Sequence, residues 1–179
     1  CLSDWSSDVC SSDLAFSPTT TGFNLNTASA SLNNNGTTYA SWTFRKQPKF
    51  FDVVTFSGDG TSSKAVSHSL GSVPGCVIVK RLDSGGGWFV WHRATSATPN
   101  NDYIRLEQTS SVASATDAWS SNAFTSTQFY VSSNLSTNVN GASYVAYVFA
   151  HNAGGFGLTG TDNVISCGSY TTDSSGNAS

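Results

Sequence analysis

Charge is what this sequence most lacks. Only 11% of its 179 residues are Asp, Glu, Lys or Arg, where an ordinary globular domain has about a quarter. Eight cations face eleven anions, which leaves no basic stripe to neutralise phosphates, so neither nucleic acid nor an anionic membrane is an expected partner. Long apolar runs are missing too. The longest, such as Tyr144 to Ala150, have the length of a strand and fall far short of the roughly 18 residues of a membrane helix. Hydroxyls fill the place of charge: 32 Ser and 20 Thr make up about 29% of the chain.

Residues 1–14 lack the basic start and apolar centre of a secretion signal and follow no strand or helix period. From Asp4 to Leu14 the run Asp-Trp-Ser-Ser-Asp-Val-Cys-Ser-Ser-Asp-Leu resembles the translation of a widely used short-read sequencing adapter. The first fourteen residues are therefore expected to be a disordered artefact. Setting them aside removes Asp4, Asp8 and Asp13 and leaves eight acids against eight bases. Cys1 and Cys10 leave with them. Cys76 and Cys167 are too few for a multi-bridge framework, and the redox compartment stays open.

Internal similarity organises the rest. Gly36-Thr-Thr-Tyr-Ala-Ser-Trp-Thr-Phe44 lies over Gly141-Ala-Ser-Tyr-Val-Ala-Tyr-Val-Phe149 at an offset of 105, and Thr21–Leu25 lies over Thr127–Val131 at 106. Thr55-Phe-Ser-Gly-Asp59 resembles Ser169-Tyr-Thr-Thr-Asp173 at 114. These matches predict a tandem array: residues 15–46 ending one repeat, 51–151 a complete one, 152–162 a Gly-rich linker and 163–179 the start of a third. The chain is then expected to be a fragment of a longer protein.

Within 51–151 the pattern is β. Phe51–Ser57, a Gly58-Asp59-Gly60 turn and Ser63–His68 predict a hairpin. Cys76–Arg81, the turn Asp83–Gly87 and Trp88–Arg93 predict a second. Asp102–Glu107, Thr127–Val131 and Ala142–Ala150 add strands, and Ala113–Asn122 is the one stretch suited to a helical turn. On the Trp88–Arg93 strand both faces carry bulk, which marks it as central. The expected fold is all-β, an antiparallel β-sandwich of jelly-roll or immunoglobulin-like type, tandemly repeated.

No catalytic constellation stands out. Asp102 and Glu107 would be the best acid pair, yet a five-residue separation along one strand points them to opposite faces. His68, His92 and His151 lack metal-binding spacing, and Cys76 opens an apolar strand, as a buried unreactive thiol would. His151–Gly160 is Gly-rich but lacks the ending of a phosphate loop. No catalytic residue, metal or cofactor is expected. Carbohydrate binding is the candidate activity: Trp88, Trp91, Tyr103 and Trp119 could stack on sugar rings while Asn100 and Asn101 hydrogen-bond them, the competing role for the aromatics being packing.

Ser67-His-Ser-Leu-Gly-Ser-Val-Pro-Gly-Cys-Val-Ile-Val-Lys-Arg81, Trp88–His92 and Tyr144–Ala150 resemble a family of repeated domains in tailed-phage proteins, known chiefly from marine metagenomes. The resemblance runs through most of residues 37–173. It implies a non-enzymatic virion appendage protein, of tail-fibre or tail-spike type, extracellular on the particle. Other tail proteins and host surface glycans are the implied partners. Trimers are common in phage fibres, so a homotrimer is compatible, although no residue pattern encodes one. The alternatives are a polysaccharide-degrading spike module and a carbohydrate-binding bacterial adhesin.

Overall fold

The computed structural model describes residues 16–25 and 34–176. The segment 1–14 lies outside them. The described chain is nearly all β, with antiparallel sheets throughout and a single 3-10 turn at Pro99–Asn101 as its helical element. It divides into two compact units, Cys1–Phe44 and Arg45–Ser179.

In the first unit, β1 (Phe16–Pro18) and β2 (Phe23–Leu25) form a short antiparallel hairpin with Phe16 opposite Leu25. Thr19 N–H donates to the Gly22 carbonyl across its turn. Asn34–Phe44 follows with no strand ladder, and every residue in it is exposed.

The second unit holds β3 (Phe51–Ser57), β4 (Lys64–Ser67), β5 (Cys76–Arg81), β6 (Trp88–His92), β7 (Asp102–Arg105), β8 (Ala113–Ser114), β9 (Gln128–Val131) and β10 (Ser143–Phe149). Six of them make one sheet in the order β3-β10-β5-β6-β7-β8, and β4 pairs with β9 in a second. The predicted β5–β6 hairpin forms, with Cys76 opposite His92 and Lys80 opposite Trp88. The other predicted hairpin does not. β3 pairs with β10, Phe51 facing Phe149, while β4 crosses to the second sheet and pairs with β9. Alternation tells which face a residue takes but not which strand lies beside it. Ala113–Asn122 likewise makes a two-residue strand and turns rather than a helical turn.

The period of two places the core. On β10, Tyr144, Ala146 and Val148 join the main cluster, together with Val77 and Val79 of β5, Phe89 and Trp91 of β6, Val66 of β4, and Phe129 and Val131 of β9. The β4–β9 pair therefore packs on one face of the large sheet. Burying each such side chain is worth about 1.5–3 kcal/mol. Val145 and Tyr147 point the other way, into a smaller cluster with Phe51, Val53, Ile78 and Trp88. Both faces of β10 are thus buried, which explains its near-continuous apolar run.

Residues 152–167 pack onto this unit. Gly155 N–H donates to the Gly160 carbonyl and Phe156 bridges Asp162, so the Gly-rich run closes on itself. Asn152 N–H donates to Ile165 O, Ile165 packs on the main core, and Cys167 is buried.

Candidate functional site

The six residues named for glycan binding do not converge. Trp119 is wholly buried, its backbone bridging Val131 in the core. Trp91 is 6% exposed; its indole Nε1 donates to Asn100 Oδ1 at 2.8 Å, and Asn100 Nδ2 in turn donates to the carbonyls of Ser120 and Asn122. Asn100 is therefore a clasp between β6 and the 120–122 loop. Trp88 lies on the opposite sheet face, its ring 6.2 Å from that of Tyr147. Asn101 is exposed at the end of the 3-10 turn. Tyr103 lines a groove.

That groove lies where β7 and β8 end the large sheet. Tyr103 is stacked on Phe89, ring centroids 4.3 Å apart and planes at 15°. The Arg105 guanidinium carbon sits 5.1 Å from the Phe89 centroid and 5.7 Å from that of Tyr103. Alternation puts Tyr103 and Arg105 on one face of β7, and Arg105 pairs in register with Phe89. Gln108, Ser110, Ser111 and Ala113 complete a cavity of about 330 Å³. Arg105 shares its face with Tyr103 in the sequence pattern itself. Gln108, Ser110 and Ser111 carry no signal, since they lie in a loop of ordinary hydroxyl composition.

The acids are spread among turns. Asp59 accepts from Thr61 N–H, Thr61 Oγ1 and Asn138 Nδ2 and lies 3.3 Å from Lys64 Nζ; these donors, the Thr61 N–H above all, hold its carboxyl far below the usual carboxylate range. Asp102 accepts from the hydroxyls of Ser96 and Ser114, tying the 96–98 loop to β8 and lowering its pKa. Glu107 Oε2 accepts the Trp88 N–H at 2.9 Å, with the same effect. Buried Asp52 accepts the Ser69 N–H at 2.7 Å and pairs with Lys46 at 3.3 Å. Asp83 is bound to Arg81 Nε, whose hydrogen bond lowers its pKa, and Asp117 accepts from Asn134 Nδ2. Asp102 and Glu107 thus serve two different loops.

The histidines work as acceptors. His68, His92 and His151 take the N–H groups of Leu70, Ala94 and Cys167 on Nδ1, and burial lowers all three pKa values. Burial pushes the Cys76 thiol up to about 12, aided by neighbouring Cys167, whose own pKa burial also raises. Both cysteines are free, and neither is primed as a nucleophile. Among the described residues no group of three His, Cys, Asp or Glu side chains could hold a metal ion, and no helix is long and apolar enough to cross a membrane.

No curated protein and no solved structure matches this chain. One family does, over residues 6–177 and so over nearly the whole length, including part of the Asp4–Leu14 segment. The chain belongs to the family described as Domain of unknown function (DUF7483).

Proposed function

We propose that this chain is a non-enzymatic structural and adhesive module of a phage virion appendage, of tail-fibre or tail-spike type. In this reading it consists of tandem antiparallel β-sandwiches, jelly-roll or immunoglobulin-like, that space or present a receptor-binding tip. The observation that carries the non-enzymatic part is the use of the acids. All six within residues 51–151 accept hydrogen bonds that close local turns or tie loops together, and glycan hydrolysis needs two carboxyls facing one groove. The neutral, hydroxyl-rich composition suits an outer surface that meets other virion proteins and host glycans. The placement on a phage rests on the sequence resemblance.

Peptide mass spectrometry on purified virus particles tests it, searching for the tryptic peptides Leu82–Arg93 and Ala94–Arg105. They are expected at the abundance of structural proteins; their absence beside other tail peptides points to a cellular adhesin and defeats the proposal. Incubation with host capsule is expected to release no new reducing ends. Release abolished by Asp102→Asn or Glu107→Gln establishes the degrading spike instead.

A further inference from the structure

We propose that the groove at the β7–β8 end of the large sheet binds an acidic saccharide, with Arg105 taking the sugar carboxylate and Tyr103 packing on the ring. The inference deepens the adhesive reading above and rests on it. The cavity of about 330 Å³ is lined by Tyr103, Arg105, Gln108, Ser110, Ser111 and Ala113, at the small end of the roughly 300–1,000 Å³ range of ligand sites. Its walls offer one aromatic ring, one guanidinium, one amide, two hydroxyls and a methyl group. A pyranose presents the complement: an apolar C–H face and a rim of hydroxyls.

The state of Arg105 selects an acidic sugar. Lys46, Lys64 and Arg81 each pair with an aspartate; Arg105, like Arg45, Lys49, Lys80 and Arg93, forms no ion pair among the described residues, and it is the cation that lines this cavity. Glu107 has its Oε2 engaged by the Trp88 N–H and feels the Arg105 charge without forming an ion pair with it, Asp102 is occupied by two serine hydroxyls, and no acid lines the cavity. The guanidinium is held instead by the rings of Phe89 and Tyr103. A guanidinium lying over an aromatic ring keeps its N–H donors for a planar, bidentate acceptor. A carboxylate matches that fork. Tyr103 and Arg105 are half-buried, while Phe89 on the same face is 1% exposed under the core, so the ligand-facing groups lie just where core packing stops.

The test is an NMR titration of the full ¹⁵N-labelled chain with a glucuronate-containing disaccharide, its glucose counterpart and inorganic phosphate. The acidic disaccharide is expected to move Arg105 Nε and the amides of Ser110, Ser111 and Ala113 saturably. Its affinity should exceed that of the neutral sugar by about tenfold and weaken as NaCl rises from about 20 to about 500 mM. Arg105→Gln should cost about tenfold, and Gln108→Ala, at an exposed position that folding does not need, about two- to fivefold. Equal binding of the neutral sugar, phosphate binding as tight as the acidic sugar, or shifts scattered away from the groove overturns the proposal. The two readings fail separately. Peptides present in virions with a silent groove remove this inference alone, and a responsive groove on a protein absent from virions removes the virion placement alone.

Discussion

Two stretches that align at an offset of 105, Asn34–Phe44 and Val139–Phe149, with Asn, Gly, Tyr and Phe identical, end up in opposite environments. Both open with the same turn. Gly36 and Gly141 take φ of +76° and +77°, and the residue after each donates back across the turn, Thr37 N–H to Asn34 O and Ala142 N–H to Val139 O. Both then close the same latch: Asn34 N–H donates to the Tyr39 hydroxyl at 3.0 Å, and Val139 N–H to the Tyr144 hydroxyl at 2.8 Å. From there they part. Ser143–Phe149 is flanked by β3 and β5 and buried on both faces, whereas Asn34–Phe44 has no ladder and Trp42 is 84% exposed. Turn and latch span six residues and form from local chemistry. A strand is stable only with partners, which come from distant sequence.

The other matched pair teaches the same lesson. Asp59 accepts from the N–H two residues on, Thr61, and Asp173 from that of Ser175, so the aspartate turn forms in both places. The strand preceding it forms only at Thr55–Ser57. At Gly58 a Cβ would fall on the Val139 carbonyl oxygen. The matching position holds Thr172, which carries a Cβ and takes part in an isolated bridge.

The strongest test of the contrast is tyrosine truncation. Tyr144→Ala empties a fully buried site and strands the Val139 N–H, and should cost about 3–5 kcal/mol in urea unfolding. Tyr39→Ala, at a position 44% exposed, should cost under about 1 kcal/mol. Comparable losses would show that the Asn34–Phe44 strand is paired after all. Next come the turn glycines. Neither has an atom within 4 Å of an added Cβ, so Gly36→Ala and Gly141→Ala meet only the cost of positive φ, about 1 kcal/mol each. Only Gly141→Ala should lower the melting temperature of the Arg45–Ser179 unit.

Acid separates the units further. The three histidines all lie in the second, with pKa values lowered below 6.5 by burial. Their neutral forms stabilise the fold fully above the unfolded pKa near 6.5, and that contribution is lost as pH falls below it, when the unfolded chain binds protons first. Calorimetry between pH 7 and pH 5 should show the Arg45–Ser179 transition moving down, and His68→Asn should blunt the fall; an unchanged transition would refute it. Smallest of all, Trp42→Ala should change stability by less than about 0.5 kcal/mol, although its counterpart Tyr147 is 9% exposed in a packed cluster.

Much of the fold can be read from residue order, but little of the candidate site. The β5–β6 hairpin is legible because apolar runs flank a Gly-rich turn of fixed length. The β3–β10 pairing is not, because its members stand about 90 residues apart. Four aromatics look equally able to stack on a sugar in the sequence. Packing spends Trp119 and Trp91 on the core and Trp88 on the far face, and leaves Tyr103 beside Arg105 in the wall of the groove.

By itself, then, the sequence determines the local pieces of this protein: its all-β character, the glycine and aspartate turns, the tyrosine latches and the alternation of faces along each strand. These follow from φ preferences, short-range hydrogen bonds and the period of two. Tertiary structure alone decides which matched segment becomes a buried strand, which aromatics are core, and which guanidinium lines the groove at the sheet edge. Those outcomes depend on which distant surfaces meet, and the free energy of burial exists only once they do.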